Sequence, residues 1–121
     1  MKLLSKFTTQ ILYVKIRENL LTIKSVKNGE IITLKAVTPF STKRFLVAEF
    51  SIAQKLLQSA LEKLNKGFIK PIVVVHPLEN IEDRLSEVEE KIFKELALSA
   101  GAREVKLHIG RELSSEELLH I

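Results

Sequence analysis

The stretch Ile11-Leu-Tyr-Val-Lys-Ile-Arg-Glu-Asn-Leu-Leu-Thr-Ile-Lys-Ser-Val-Lys-Asn-Gly-Glu-Ile-Ile-Thr-Leu-Lys-Ala-Val37 decides the fold. Its β-branched and aromatic residues recur with the two-residue period of strands, and turn residues interrupt it twice. Ile11–Ile16 and Leu20–Val26 read as the first two strands. Asn28-Gly29 predicts a type I′ turn, because that pair tolerates positive φ at both central positions. Glu30–Val37 reads as the third strand, with Ile32, Leu34 and Ala36 on one face and Ile31, Thr33, Lys35 and Val37 on the other. The chain therefore opens with a three-stranded antiparallel meander.

Outward from the meander the period changes. Thr38–Thr42 is a loop, and Phe45–Phe50 reads as a short extended lead-in. Ser51 and Gln54 have the spacing of a capping box. Behind them Ile52, Leu56, Leu57, Ala60, Leu61 and Leu64 follow helical spacing, with Gly67 as the expected stop. Ile69–His76 is an unalternated apolar run, which suits a strand buried on both faces. A second helix carries Leu85, Val88, Ile92, Phe93, Leu96, Ala97 and Ala100 as its apolar stripe and ends at Gly101. Glu104–Ile109 is the last strand, and Ser114 with Glu117 opens a short terminal helix. The order βββ-α-β-α-β-α predicts an α/β fold: a five-stranded mixed sheet with helices packed on it.

The chain has 121 residues, 45% apolar and 28% charged, which suits one folded domain over 1–121. It has no cysteine, which excludes disulfides and thiolate chemistry. No apolar run reaches the roughly 18 residues of a membrane span, and no signal-peptide pattern is visible, so a cytoplasmic location is expected. Residues 1–70 hold 13 Lys/Arg against 4 Glu, whereas 71–121 hold 6 against 11 Asp/Glu. Such asymmetry suits an acidic partner, a nucleic acid or a membrane, and equally two halves whose surfaces pair.

Three segments resemble the bacterial actin MreB family, specifically its first large subdomain. Ala97-Leu-Ser-Ala-Gly-Ala-Arg-Glu-Val105 is similar to the family's Ala-Gly-Ala-Arg-Glu-Val helix end and strand start. Val47-Ala-Glu-Phe50 resembles its Ile-Ala-Asp-Phe lead-in, and Pro71-Ile-Val-Val-Val75 its Pro-Arg-Val-Val-Ile strand. The resemblance covers about 11–113 and implies a ribonuclease H-like half-actin fold. The family's phosphate loop is Asp-Leu-Gly-Thr, in which Asp organises Mg²⁺ and Gly admits phosphate. Here the degenerate phosphate-loop position is Lys15, Arg17, Glu18 and Asn19, with Lys15 at the Asp and Arg17 at the Gly. Ile109-Gly110-Arg111 stands where the family has an acidic Glu-Glu-Pro turn, with Glu112 out of register. The sequence also ends before the second large subdomain and its adenosine pocket.

These departures lead to an expected non-catalytic MreB-like protein: no enzyme, no cofactor and no metal, with protein interaction in the cell-shape cytoskeleton as its work. The expected partners are MreB-type or cell-shape proteins, with a homodimer as a further expectation. Lys15, Arg17, Lys24 and Lys35 form a candidate interaction patch if they share a face, and the same residues suit edge-strand protection. Met1–Thr9 reads as an amphipathic segment whose Leu3, Leu4 and Phe7 are candidates for weak contact at the inner membrane, or for docking on the core. The alternatives are a STAS-like regulatory or anion-binding domain and a basic-patch nucleic-acid binder. Sparse aromatics disfavour nucleic acid, and Ile11–Ile16 lacks the carboxylates of a two-metal nuclease. A STAS domain would begin its crossovers after fewer meander strands. His76 and His108 sit near strand ends and approach each other if their strands are neighbours, but two histidines without a carboxylate rarely hold a metal.

Overall fold

The computed structural model describes residues 9–81 and 84–121. The meander is β1 (Ile11–Arg17), β2 (Leu20–Ser25) and β3 (Ile31–Lys35). Helix α1 (Phe50–Leu64), strand β4 (Ile72–Pro77), helix α2 (Glu87–Ala100), strand β5 (Glu104–Leu107) and helix α3 (Ser115–Leu119) follow. The sheet order is β3-β2-β1-β4-β5. The meander pairs are antiparallel, and β4 runs parallel to both β1 and β5. Parallel neighbours cannot be joined by a tight turn, so α1 and α2 serve as the crossovers.

The pleat divides the side chains between two cores. Leu12, Val14 and Ile16 of β1, Leu21 and Ile23 of β2, and Val73 and Val75 of β4 face α1 and α2. Helix α1 adds Ala53, Leu57, Ala60, Leu61 and Leu64, and α2 adds Phe93, Leu96, Ala97 and Ala100. On the opposite face Tyr13 and Val74 pack with Leu118 of α3. Strand β4 thus meets a core on each side, as its unbroken apolar run predicts.

Several local expectations are corrected. The Asn28-Gly29 loop is no two-residue type I′ turn: only Gly29 has positive φ, at 75°. Gly29 N–H donates to the Ser25 carbonyl and Ser25 N–H to the Glu30 carbonyl, so four residues span the turn. Asn28 Oδ1 accepts from Glu30 N–H, and that side-chain turn replaces the expected backbone one. No strand forms over Phe45–Phe50: 46–49 bend and Phe50 is already helical. The Phe40 carbonyl accepts from both Ala48 and Glu49 N–H, so α1 starts at Phe50. Ser51 therefore lies inside the helix, and no Ser51–Gln54 box forms. The helix ends at Leu64 rather than near Gly67, because Asn65 turns its amide onto the Ile69 carbonyl. Val88 is exposed, since it lies about 140° around the helix from Phe93. The capping box of α2 is Ser86 with Glu89; that of α3 is Ser114 with Glu117, and Gly101 at φ 127° ends α2, both as expected.

Candidate functional site

Register brings the chemistry to the C-terminal ends of the parallel strands. Lys15 on β1 is the sheet neighbour of His76 on β4, on the face that carries Tyr13. Both Tyr13 and His76 are buried. Tyr13 Oη donates to His76 Nδ1 across 2.6 Å and accepts from Leu113 N–H across 3.1 Å. On its other side His76 Nε2 donates to the Gly110 carbonyl across 2.9 Å. A carbonyl only accepts, so Nε2 carries the proton and Nδ1 is the free lone pair that the tyrosine hydroxyl fills. The His108 ring meets the His76 ring edge-on, with centroids 4.6 Å apart, and its Nε2 donates to the Arg111 carbonyl. Lys15 forms an ion pair with Glu112, and Arg111 pairs with Glu117 on α3.

The electrostatics follow from this packing. Burial holds the His76 imidazolium pKa below its ordinary 6.5, with the Gly110 carbonyl opposing and His108 adding to the shift. Burial likewise raises the Tyr13 phenol. The Lys15 ammonium lowers the Glu112 carboxyl, and Arg111 holds Glu117 at about 2. The sign for stability is then fixed. As pH falls below 6.5 the unfolded chain protonates at position 76 while the native imidazole stays neutral, so stability falls. The slope is at most about 1.4 kcal/mol per pH unit for one proton. A further loss comes between 4.5 and about 2, as Glu117 is protonated. Urea unfolding at steps from pH 7.5 to 5.5 measures the first decline; a flat profile there contradicts it.

The hairpin tip between β1 and β2 is equally occupied. Asn19, at φ 55°, takes the left-handed conformation. Its Oδ1 accepts from Phe40 N–H at 2.9 Å and Ser41 N–H at 2.8 Å, and its own N–H donates to Ser41 Oγ. Glu18 N–H donates to the Glu79 carboxylate. The two tip amides, of Glu18 and Asn19, are both taken by this chain.

Lys15, Arg17, Lys24 and Lys35 do share one face, because Tyr13 pairs with Lys24, and Leu20 with both Arg17 and Lys35. They divide in role. Lys15 is bonded to Glu112 and Lys24 to Ser115 Oγ at 2.7 Å, so those two hold the C-terminal segment on the sheet. Arg17 and Lys35 are exposed. Leu3, Leu4 and Phe7 lie outside the described residues. Among the described residues no group of three His, Asp or Glu is placed to hold a metal, and no helix is long and apolar enough to cross a membrane.

No family model matches the chain. It is 33% identical over 98 residues to the uncharacterised protein YjaA of Escherichia coli (strain K12), covering 74% of this chain and 76% of YjaA. The chain belongs to the YjaA family. Within this YjaA-family chain, the sequence put His76 and His108 near strand ends that meet if their strands are neighbours, as β4 and β5 are, but it gave no such role to Tyr13, Glu79 or Glu112. One signal was present: Tyr13 stands on the same face as Lys15, and a tyrosine buried there needs a partner for its hydroxyl.

Proposed function

We propose that this YjaA-family chain is a non-catalytic interaction domain with a ribonuclease H-like, half-actin architecture, working in the cytoplasm with MreB-type or cell-shape proteins. Contact of Leu3, Leu4 and Phe7 with the inner membrane belongs to the same proposal. The observation that carries the non-catalytic reading is the closed hairpin tip. The Glu18 and Asn19 amides donate to Glu79 and Ser41, and Lys15 is neutralised by Glu112. A phosphate arriving there would have to displace bonds the fold already uses. Three meander strands before the first crossover, with β3 at the sheet edge, favour the half-actin architecture over a STAS domain.

Calorimetry with ATP and Mg²⁺ on the full chain is expected to give no binding heat, and micromolar binding sinks the reading. A tagged chain used as bait in its own cells is expected to retain a bacterial actin or one of its membrane partners. Recovery of nucleic acid in their place sinks the cytoskeletal assignment.

A further inference from the structure

Strand β3 is the outer strand of the sheet on the meander side. Its hydrogen-bond phase is fixed at both ends: Ser25 N–H donates to the Glu30 carbonyl, and Ala36 N–H to the Asn19 carbonyl. Even-numbered residues of the segment therefore bond to β2, and antiparallel alternation turns the N–H and C=O of Ile31, Thr33 and Lys35 outward. Native edges are usually blunted by lysine, proline, bulges or short length, and on this five-residue strand the one such charge is Lys35 at its end. Here Ile31 is 57% exposed and the adjoining Val37 fully exposed. Beside this edge a groove of about 380 Å³ lies between the end of β3 and α1. Ala36, Val37, Ile52 and Leu56 form its apolar lining; Lys55 stands on its helix rim, and Lys35, which belongs to the Tyr13 face of the sheet, borders it at the strand edge. Lys63 continues the same helix face by spacing, and Lys66 reaches Glu30 at 3.7 Å, at the opposite end of β3. Among the described residues no acid lines the groove.

We propose that the β3 edge binds an acidic, extended segment of a partner protein as a sixth strand, with its alternate apolar side chains entering the groove beside α1. The proposal rests on the reading of this chain as an interaction domain and assigns the surface and the chemistry of the partner. Backbone pairing supplies affinity in this mode, and pockets for every second side chain supply specificity. Charge selects the occupant. A second copy would offer a β3 edge that carries Lys35 and no acid between Ile31 and Lys35, so it lacks the charge that complements the rim. The chain's own first eight residues contain Lys2 and Lys6 and no acid, so they share the sign of the rim. A segment with Glu or Asp alternating with Val or Leu meets both the lysines and the groove.

The test is fluorescence anisotropy of the full chain with a labelled peptide of four Glu-Val repeats, and with a matched Lys-Val peptide. The acidic peptide is expected to bind in the tens of micromolar, more weakly at high salt, and the lysine peptide not to bind. Thr33→Pro removes one outward N–H that the sheet does not use, a position where an edge strand tolerates proline. It is expected to weaken binding roughly tenfold or more. The double variant Lys35→Glu, Lys55→Glu leaves the backbone untouched and is expected to abolish binding. Equal affinity of both variants and the parent overturns the proposal, as does equal binding of the two peptides. A dimer in sedimentation that Thr33→Pro dissolves gives the edge to a second copy and also overturns it. ATP calorimetry reads the hairpin tip and not this edge. Nucleotide heat with intact peptide binding therefore refutes the non-catalytic reading alone; lost peptide binding without nucleotide heat refutes the edge alone.

Discussion

His76→Ala lowers the unfolding free energy by about 3–5 kcal/mol. The imidazole is wholly buried, so truncation leaves a cavity between β1, β4 and the segment after β5. It also strands the Tyr13 hydroxyl, which donates to His76 Nδ1 and has Leu113 N–H on its other side. A buried donor left without an acceptor costs about 1–3 kcal/mol, and the lost volume adds a cost of similar size. The Gly110 carbonyl loses its donor too, but Gly110 is exposed and water replaces that bond. Tyr13→Phe alone removes the hydroxyl and leaves both His76 Nδ1 and Leu113 N–H without it, at about 1–2 kcal/mol. In the double variant His76→Ala, Tyr13→Phe, hydroxyl and imidazole are gone together, so its loss is smaller than the two single losses combined. Urea denaturation of the four proteins gives these values. A loss below about 1 kcal/mol for His76→Ala means the clasp does not hold the C-terminal segment. The same variant loses the stability decline below pH 6.5, since the group that titrates is gone.

The contrast between what could and could not be read in the sequence follows range. Meander strands, the doubly buried β4, the Ser114 box and the Gly101 stop are written within a few residues of each other, and the structure keeps them. Periodicity also tells which face of a strand a residue occupies, so Lys15, Arg17, Lys24 and Lys35 could be suspected of sharing one. It does not tell what crosses the sheet to meet that face. Tyr13 bonds a histidine 63 positions on, and Lys15 a glutamate 97 positions on. No local pattern carries such pairings, because the partners lie far apart in sequence and are brought together only by the tertiary fold. Errors at helix starts have the same origin. Ser51 and Gln54 have cap spacing, but Phe40, ten residues upstream of Phe50, fixes where α1 begins through its carbonyl. Val88 fits an apolar stripe by eye, and the angle set by Phe93, Leu96 and Ala97 turns it to solvent.

Asn19→Ala is expected to cost about 3–5 kcal/mol, as much as emptying the His76 site, although Asn19 sits at a hairpin tip. Two losses combine. Alanine at φ 55° carries a penalty of about 1–2 kcal/mol that asparagine largely escapes. In addition, Phe40 and Ser41 N–H lose the one oxygen that accepts from both. Those amides hold a loop whose Phe40 ring is fully buried against the main core and whose carbonyl sets the start of α1. The tip of the first hairpin, the loop and the first helix are thus one connected unit. Asn19→Gly separates the terms: it removes the strain and keeps the loss of the two bonds, so it should be milder than alanine by about 1–2 kcal/mol. Asn19→Asp keeps an acceptor and the left-handed conformation and should be the mildest of the three. Thermal or urea unfolding of the series measures the order Asp, Gly, Ala. If alanine and glycine are equal, backbone strain has no part; if all three match the parent, the tip does not organise the loop. The ranking also bears on function. The Asn19 oxygen and the Glu18 and Asn19 amides fasten the fold to itself. Any ligand that took the Asn19 oxygen would have to displace the contacts that place α1.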